Sequence, residues 1–168
     1  MIGRYGQIMK FVPVLAPADI TTTATNTSAI DLARCHRATF LLNFGAVSST
    51  SLDQSVVVTV LASSVVTSGT GTAIAFNYRL SGAVGTDSWG AVTAATTTGY
   101  APAAASTIEN TTLLIDVDPA VALAGPTSLD GRYVRVVITP TAGAAHVIVG
   151  GLAELEPRYA QTSMESAS

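Results

Sequence analysis

Charge is scarce in this sequence. Charged residues fill 11% of its 168 positions, less than half the usual share of about 25%. Lys10 is the single lysine beside seven arginines, and the net charge is −3 with a pI near 5.1. A nucleic-acid binder needs clustered Lys and Arg to displace counterions, so the balance argues against one. Cys35 is the only cysteine, which excludes an intrachain disulfide and Cys-rich zinc sites. Histidine is limited to His36 and His146, a thin supply of metal ligands or general bases. No stretch reaches the roughly 18 apolar residues of a membrane helix; the longest, around 147–153, is interrupted by glycine. Residues 1–10 contain Gly3, Gly6 and Gln7 in place of an apolar leader, which predicts synthesis in the cytoplasm.

Threonine, serine, alanine, valine and glycine take up the difference. β-Branched side chains pack well on pleated sheets and lose rotamer freedom in helices, so this palette favours strands. Period-2 alternation follows. Phe40, Leu42 and Phe44 share one strand face, as do Val56, Val58, Val60 and Ala62. Further faces are Ile74-Phe76-Tyr78-Leu80, Leu113-Ile115-Val117, Val134-Val136-Ile138, and Val147-Val149 with a bulge expected at Gly150-Gly151. A shorter strand is expected over 88–93. Helix is limited to a turn or two within 30–37, where a loop fits equally, and a short turn at 120–124. The chain therefore reads as all-β, an antiparallel β-sandwich of jelly-roll type spanning 18–156. Residues 1–17 read as an extended N-terminal arm lying on a neighbour or along the domain's own edge, because Pro13 and Pro17 discourage helix and central strand. Residues 157–168 read as a C-terminal tail.

Chemistry-bearing groups are few. Asp116 and Asp118 share a face with calcium-ligand spacing, yet Asp118-Pro119 also reads as a strand-ending turn. Adjacent residues of a strand point to opposite faces, so Cys35-His36 reads as a packed thiol beside a surface imidazole. His146 reads as a partly exposed strand histidine. No serine stands in a Gly-x-Ser-x-Gly frame. The reading is of a protein with no catalytic residues, no metal and no cofactor. Trp89 is expected to close the end of the core; exposed with Tyr100 on the loops, it would instead suit sugar stacking. Tyr133 and Arg135 fall on the outer face of their strand and Arg132 near its start on the inner side. Arg and Tyr favour interfaces, so Tyr133 and Arg135, with the arm residues Phe11, Val12, Val14 and Leu15, are the candidate intersubunit contacts.

Ile30-Asp31-Leu32, the run 38–47 (ATFLLNFGAV), Val58-Thr59-Val60-Leu61-Ala62-Ser63 and the run 131–138 (GRYVRVVI) together resemble small β-sandwich virion proteins of tailed bacteriophages, particularly head decoration (cement) proteins. The resemblance covers roughly 30–156 and is one of strands and turns. It implies a protein on the outside of the capsid, bound to the major capsid protein, self-associated and often trimeric, stabilising the head. A carbohydrate-binding or host-adhesion module of a fibre, and a tail or connector subunit, are the alternatives.

Overall fold

The computed structural model describes residues 9–49, 56–66, 71–123, 131–141 and 144–158. Among them eleven strands form two antiparallel sheets. In chain order they are β1 (Lys10–Ile20), β2 (Thr25–Asn26), β3 (Ile30–Asp31), β4 (Cys35–Ser49), β5 (Val56–Ser63), β6 (Thr72–Ile74), β7 (Phe76–Leu80), β8 (Thr93–Ala95), β9 (Thr112–Val117), β10 (Tyr133–Pro140) and β11 (Ala144–Pro157). One sheet has the order β1-β11-β4-β9-β7-β8. The other runs β2-β10-β5-β6, with β3 also on β10. With β2 and β3 counted as one position and β7 and β8 set aside, the first sheet holds the first, eighth, third and sixth strands of the chain. The second holds the second, seventh, fourth and fifth. That order is a jelly roll, and β7 and β8 widen its first sheet.

The alternating faces read from the sequence meet between the sheets. Phe40, Leu42, Val58, Val60, Ile115, Val134, Val136, Ile138, Val147 and Val149 are all fully buried. Each strand gives every second side chain to this shared core, which accounts for the period of two.

Four local readings change. The expected strand through Ile74 and Leu80 is two strands: β6 pairs with β5, β7 pairs with β9, and Ala75 is the corner between the sheets. Ile74 and Phe76 both face the shared core, so the alternation runs through the corner unbroken. The strand expected at 88–93 is reduced to a bridge between Ser81 and Trp89, and β8 begins at Thr93. The expected bulge on Gly150-Gly151 is carried by the partners: Leu15 and Ala18 face Gly151 and Val149, and Phe44 and Val47 face Val149 and Val147. Each leaves two residues against one, so β11 itself stays regular around the glycines. A β-carbon on Gly150 would stand 3.2 Å from Pro17 Cγ, so glycine lets β1 lie close here. Finally, a one-turn helix at Ala105–Ile108 seats Ile108 in the core.

The short helical readings hold in reduced form. Asp31 caps a 3-10 turn at Leu32–Arg34, accepting Ala33 N–H at 3.0 Å. A second turn, Pro119–Leu123, starts where Asp118 accepts Ala120 N–H at 2.8 Å.

The described part of the expected arm is the edge strand β1, paired with β11 from Lys10 to Ile20. The boundary expected at 17/18 therefore falls inside a strand, because Val12, Val14 and Ile20 fill the chain's own core. Pro13 and Pro17 suit the edge position, where no second neighbour asks for their N–H. At the other end Arg158 donates its backbone N–H to Arg34 O and its side-chain Nε to Cys35 O, both at 2.9 Å. Residues 1–8 of the arm and 159–168 of the tail lie outside the described residues.

Candidate functional site

Several ionisable groups are tied into the framework. Asp31 is nearly buried and receives Arg132 through two hydrogen bonds, Nε to Oδ1 at 3.0 Å and Nη2 to Oδ2 at 2.7 Å. Arg132 also lies over the Tyr133 ring, 5.2 Å from its centroid. Its guanidinium holds the Asp31 carboxyl below its ordinary value of 3.8. A carboxyl depressed in the folded state stabilises the fold above its unfolded pKa, and that stabilisation fades as pH falls through the folded value. Asp31→Asn is therefore expected to cost about 1 kcal/mol at neutral pH, Arg132 being half-exposed. Below pH 3.8 its urea midpoint should converge on that of the unaltered chain; a constant gap down to acid unfolding would refute this account.

Arg37 clamps Asp116 with two hydrogen bonds of 2.9 and 2.8 Å, and Thr39 Oγ1 adds a third at 3.3 Å. With Asp118 on the Ala120 amide, both carboxylates of the calcium-like pair are engaged. His36, Arg37, Asn77, Asp116, Asp118 and Glu156 border a shallow polar cleft of about 380 Å³. No group of three His, Cys, Asp or Glu side chains fit to hold a metal is present among the described residues. The Cys35 thiol is buried and donates to Asp31 O at 3.7 Å; burial pushes its pKa up to about 11, the reverse of an activated nucleophile. His146 Nδ1 lies 2.7 Å from Asp19 Oδ2 and clips β1 to β11.

What the described residues offer to their surroundings is a sheet face crossed by an apolar band. Strand registers place the outward residues of the six-stranded sheet in rows. One row is Phe11, Glu154, Thr39, Asp116, Asn77 and Ala94. The next is Pro13, Leu152, Leu41, Leu114 and Arg79, with Val92 beside Arg79. A third joins Gly150, Asn43 and Thr112, continues through the Ser81-Thr112 hydrogen bond, and ends at Trp89 opposite Ser81. Five of the seven large hydrophobic side chains left exposed among the described residues are on this face: Phe11, Trp89, Val92, Ile148 and Leu152. Toward β1 it sinks into an open groove of about 630 Å³, walled by Pro13, Leu15, Pro17, Leu41 and Leu152 and floored by Gly150.

The contact residues expected from sequence divide. Phe11, 49% exposed, and half-buried Leu15 belong to this face. Val12 and Val14 do not: they point inward, 7% and 4% exposed, because β1 alternates like any strand. Tyr133 is half-buried under Arg132. Arg135 is 2% exposed, its Nη2 donating to Val66 O at 2.6 Å, and burial lowers its pKa. It therefore offers no surface contact, and Arg132, expected inward, is the outward residue of the pair. The Trp89 and Tyr100 readings exchange places. Trp89 is 41% exposed, whereas Tyr100 is buried against Tyr78, ring centroids 4.5 Å apart.

Leu41, Leu114, Ile148 and Leu152 were missed as surface residues. Their signal is visible in hindsight: F-L-L-N-F, L-L-I-D-V and V-I-V-G-G-L put apolar groups on both strand faces, the pattern of a sheet covered on both sides. The molecule is a jelly-roll β-sandwich with one face left uncovered by the described residues. No protein-family model matches the chain, and no curated protein or solved structure matches it.

Proposed function

We propose that this chain is a non-enzymatic structural protein of a tailed-phage virion, a head decoration protein that binds the assembled capsid from outside and stabilises it. The observation that carries this reading is the apolar outer face of the six-stranded sheet, together with the employment of Asp31, Asp116, Asp118 and Cys35 in holding the fold. Contiguous exposed apolar surface on an otherwise well-packed domain marks a protein contact. The sheet edges favour contact by faces over strand addition: β1 carries Pro13 and Pro17, while β6 and β8 are three residues long. Few charges need partners when such a face is covered. Many modest contacts repeated over a lattice then hold by avidity. The major capsid protein is the proposed partner, and self-association, as the trimer implied by the resemblance, the proposed state.

Purified protein mixed with undecorated heads should co-sediment at micromolar concentration; protein left in the supernatant would overturn the reading. One observation favours a second reading, a glycan-binding module of a fibre: Trp89 stands exposed, as a sugar-stacking residue must. Since it is the only tryptophan, a shift of its emission by glycans would select that reading, and an unchanged spectrum would remove it.

A further inference from the structure

The occupant of the apolar face can be specified from its own registers. We infer that it is a second copy of this chain, packed face to face about a two-fold axis parallel to the strands. This rests on the reading that the face is an assembly contact, and on this face it puts a two-fold pair in place of the trimer and a second copy in place of the capsid.

Such an axis, placed between β4 and β9 at the middle of the sheet, keeps each row at its own height and exchanges the two flanks. β8 of one copy then covers β1 of the other, β7 covers β11, and β9 covers β4. Three matches follow. Trp89, the knob at the β8 flank, comes over the groove at Leu15, Pro17 and Gly150 on the β1 flank. Leu114 meets Leu41 near the axis, in the same row. Arg79, whose side chain has no ion pair or hydrogen bond among the described residues, comes over Leu152, one residue pair along β11 from Glu154. Knob and hole thus lie at mirrored positions of one surface, as an isologous contact demands, with Arg79 one row from Glu154 of the other copy. A two-fold perpendicular to the strands would keep each strand over its own copy, so Trp89 would stay on the β8 flank and leave both grooves empty.

The area is that of a weak, concentration-dependent pair. β9, β7 and β8 contribute six, five and three residues to the overlap, and doubled by the axis at about 4.8 Å by about 3.4 Å per residue they give about 450 Å² per copy. The pair would bury about 900 Å², in the class of small, transient interfaces below about 1,200 Å². Stacked sheets lie about 10 Å apart with side chains interleaved, so Trp89 has depth to fill.

The test is the mass of the full chain by sedimentation velocity from about 1 to 100 µM, since mass action makes the association concentration-dependent. A dimer is expected, with Trp89 emission moving to the red as dilution separates the copies. Trp89→Ala and Leu41→Asp should each weaken the dimer at least tenfold while keeping the β-sheet circular dichroism. Arg79→Glu should weaken it, and Arg79→Glu combined with Glu154→Arg should restore it, which no general loss of folding would do. A chain still monomeric near 100 µM overturns the inference, and its capture by heads would then give the face to the capsid. A dimer or trimer indifferent to Trp89→Ala, Leu41→Asp and Arg79→Glu overturns it equally.

Discussion

Truncating Phe40 to alanine is expected to cost the fold about 4 kcal/mol, near the middle of the range for a fully buried phenylalanine. Phe40 has no exposed surface and lies in β4, between Ala153 of β11 and Ile115 of β9. Both neighbours belong to strands hydrogen-bonded on either side, so the backbone has little freedom to collapse into the void. At the 2–4 °C per kcal/mol usual for a chain of this length, the melting temperature should fall by about 8–16 °C. Leu41→Ala, one residue along, supplies the contrast. It removes a side chain from the uncovered face and should cost under about 1 kcal/mol in the separated monomer. Calorimetry of both variants at low protein concentration decides the matter. Equal losses would mean that Phe40 is not the core residue described.

Gly99→Ala is expected to be nearly as damaging, at about 3 kcal/mol, by a different mechanism. Gly99 has φ +89°, a region costing other residues about 1–3 kcal/mol. Its β-carbon would also stand 2.4 Å from Val58 O and 2.6 Å from Thr59 Cγ2. The clash is with backbone, and that backbone is engaged: Val58 and Tyr100 exchange two hydrogen bonds of 2.8 Å beyond the end of β6. Relieving the overlap would pull Tyr100 away from Tyr78, at a further cost typical of overpacking. Tyr100→Phe offers a control in the same segment. The Tyr100 hydroxyl is buried with no hydrogen-bond partner among the described residues, and burial raises its pKa to about 12. Removing an unpaired buried hydroxyl should be neutral or stabilising by up to about 1 kcal/mol. Urea denaturation of the two variants should move in opposite directions. A Gly99→Ala midpoint within error of the parent would show the loop free to move off β5.

Strand interiors were legible because one physical rule, burial of every second side chain, acts on each of them. Phe40-Leu42-Phe44 and Val134-Val136-Ile138 are its plain cases. The same rule concealed the corner at Ala75, since a strand that changes sheets while still facing the shared core keeps its period. Surface assignments were less legible. Arg135 alternates with buried valines and so reads as outward, yet it is buried with its guanidinium on Val66 O, a contact that depends on a residue about 70 positions away. Trp89 and Tyr100 are both loop aromatics in sequence; the Val58 bridge and the Ser81 bridge send one in and the other out. The candidate face was the hardest to see, because it exists only when five separate strands are set in register. No short window contains Leu152, Leu41 and Leu114 together.

The position of β11 sets a timetable for folding. It is the last strand of the jelly roll, yet it lies between β1, the first, and β4. Until it has emerged from the ribosome, β1 has no partner and β4 has only β9. Every pairing in the six-stranded sheet that involves β1 must close across more than a hundred residues of chain, and contacts so distant in sequence make for slow folding. A nascent chain halted at Pro140 would expose the open edges of β1 and β4 and the core residues that β11 covers, a species prone to aggregate. The final fourteen residues of strand thus act as a keystone, and the rate of refolding should depend on them more than on any earlier segment.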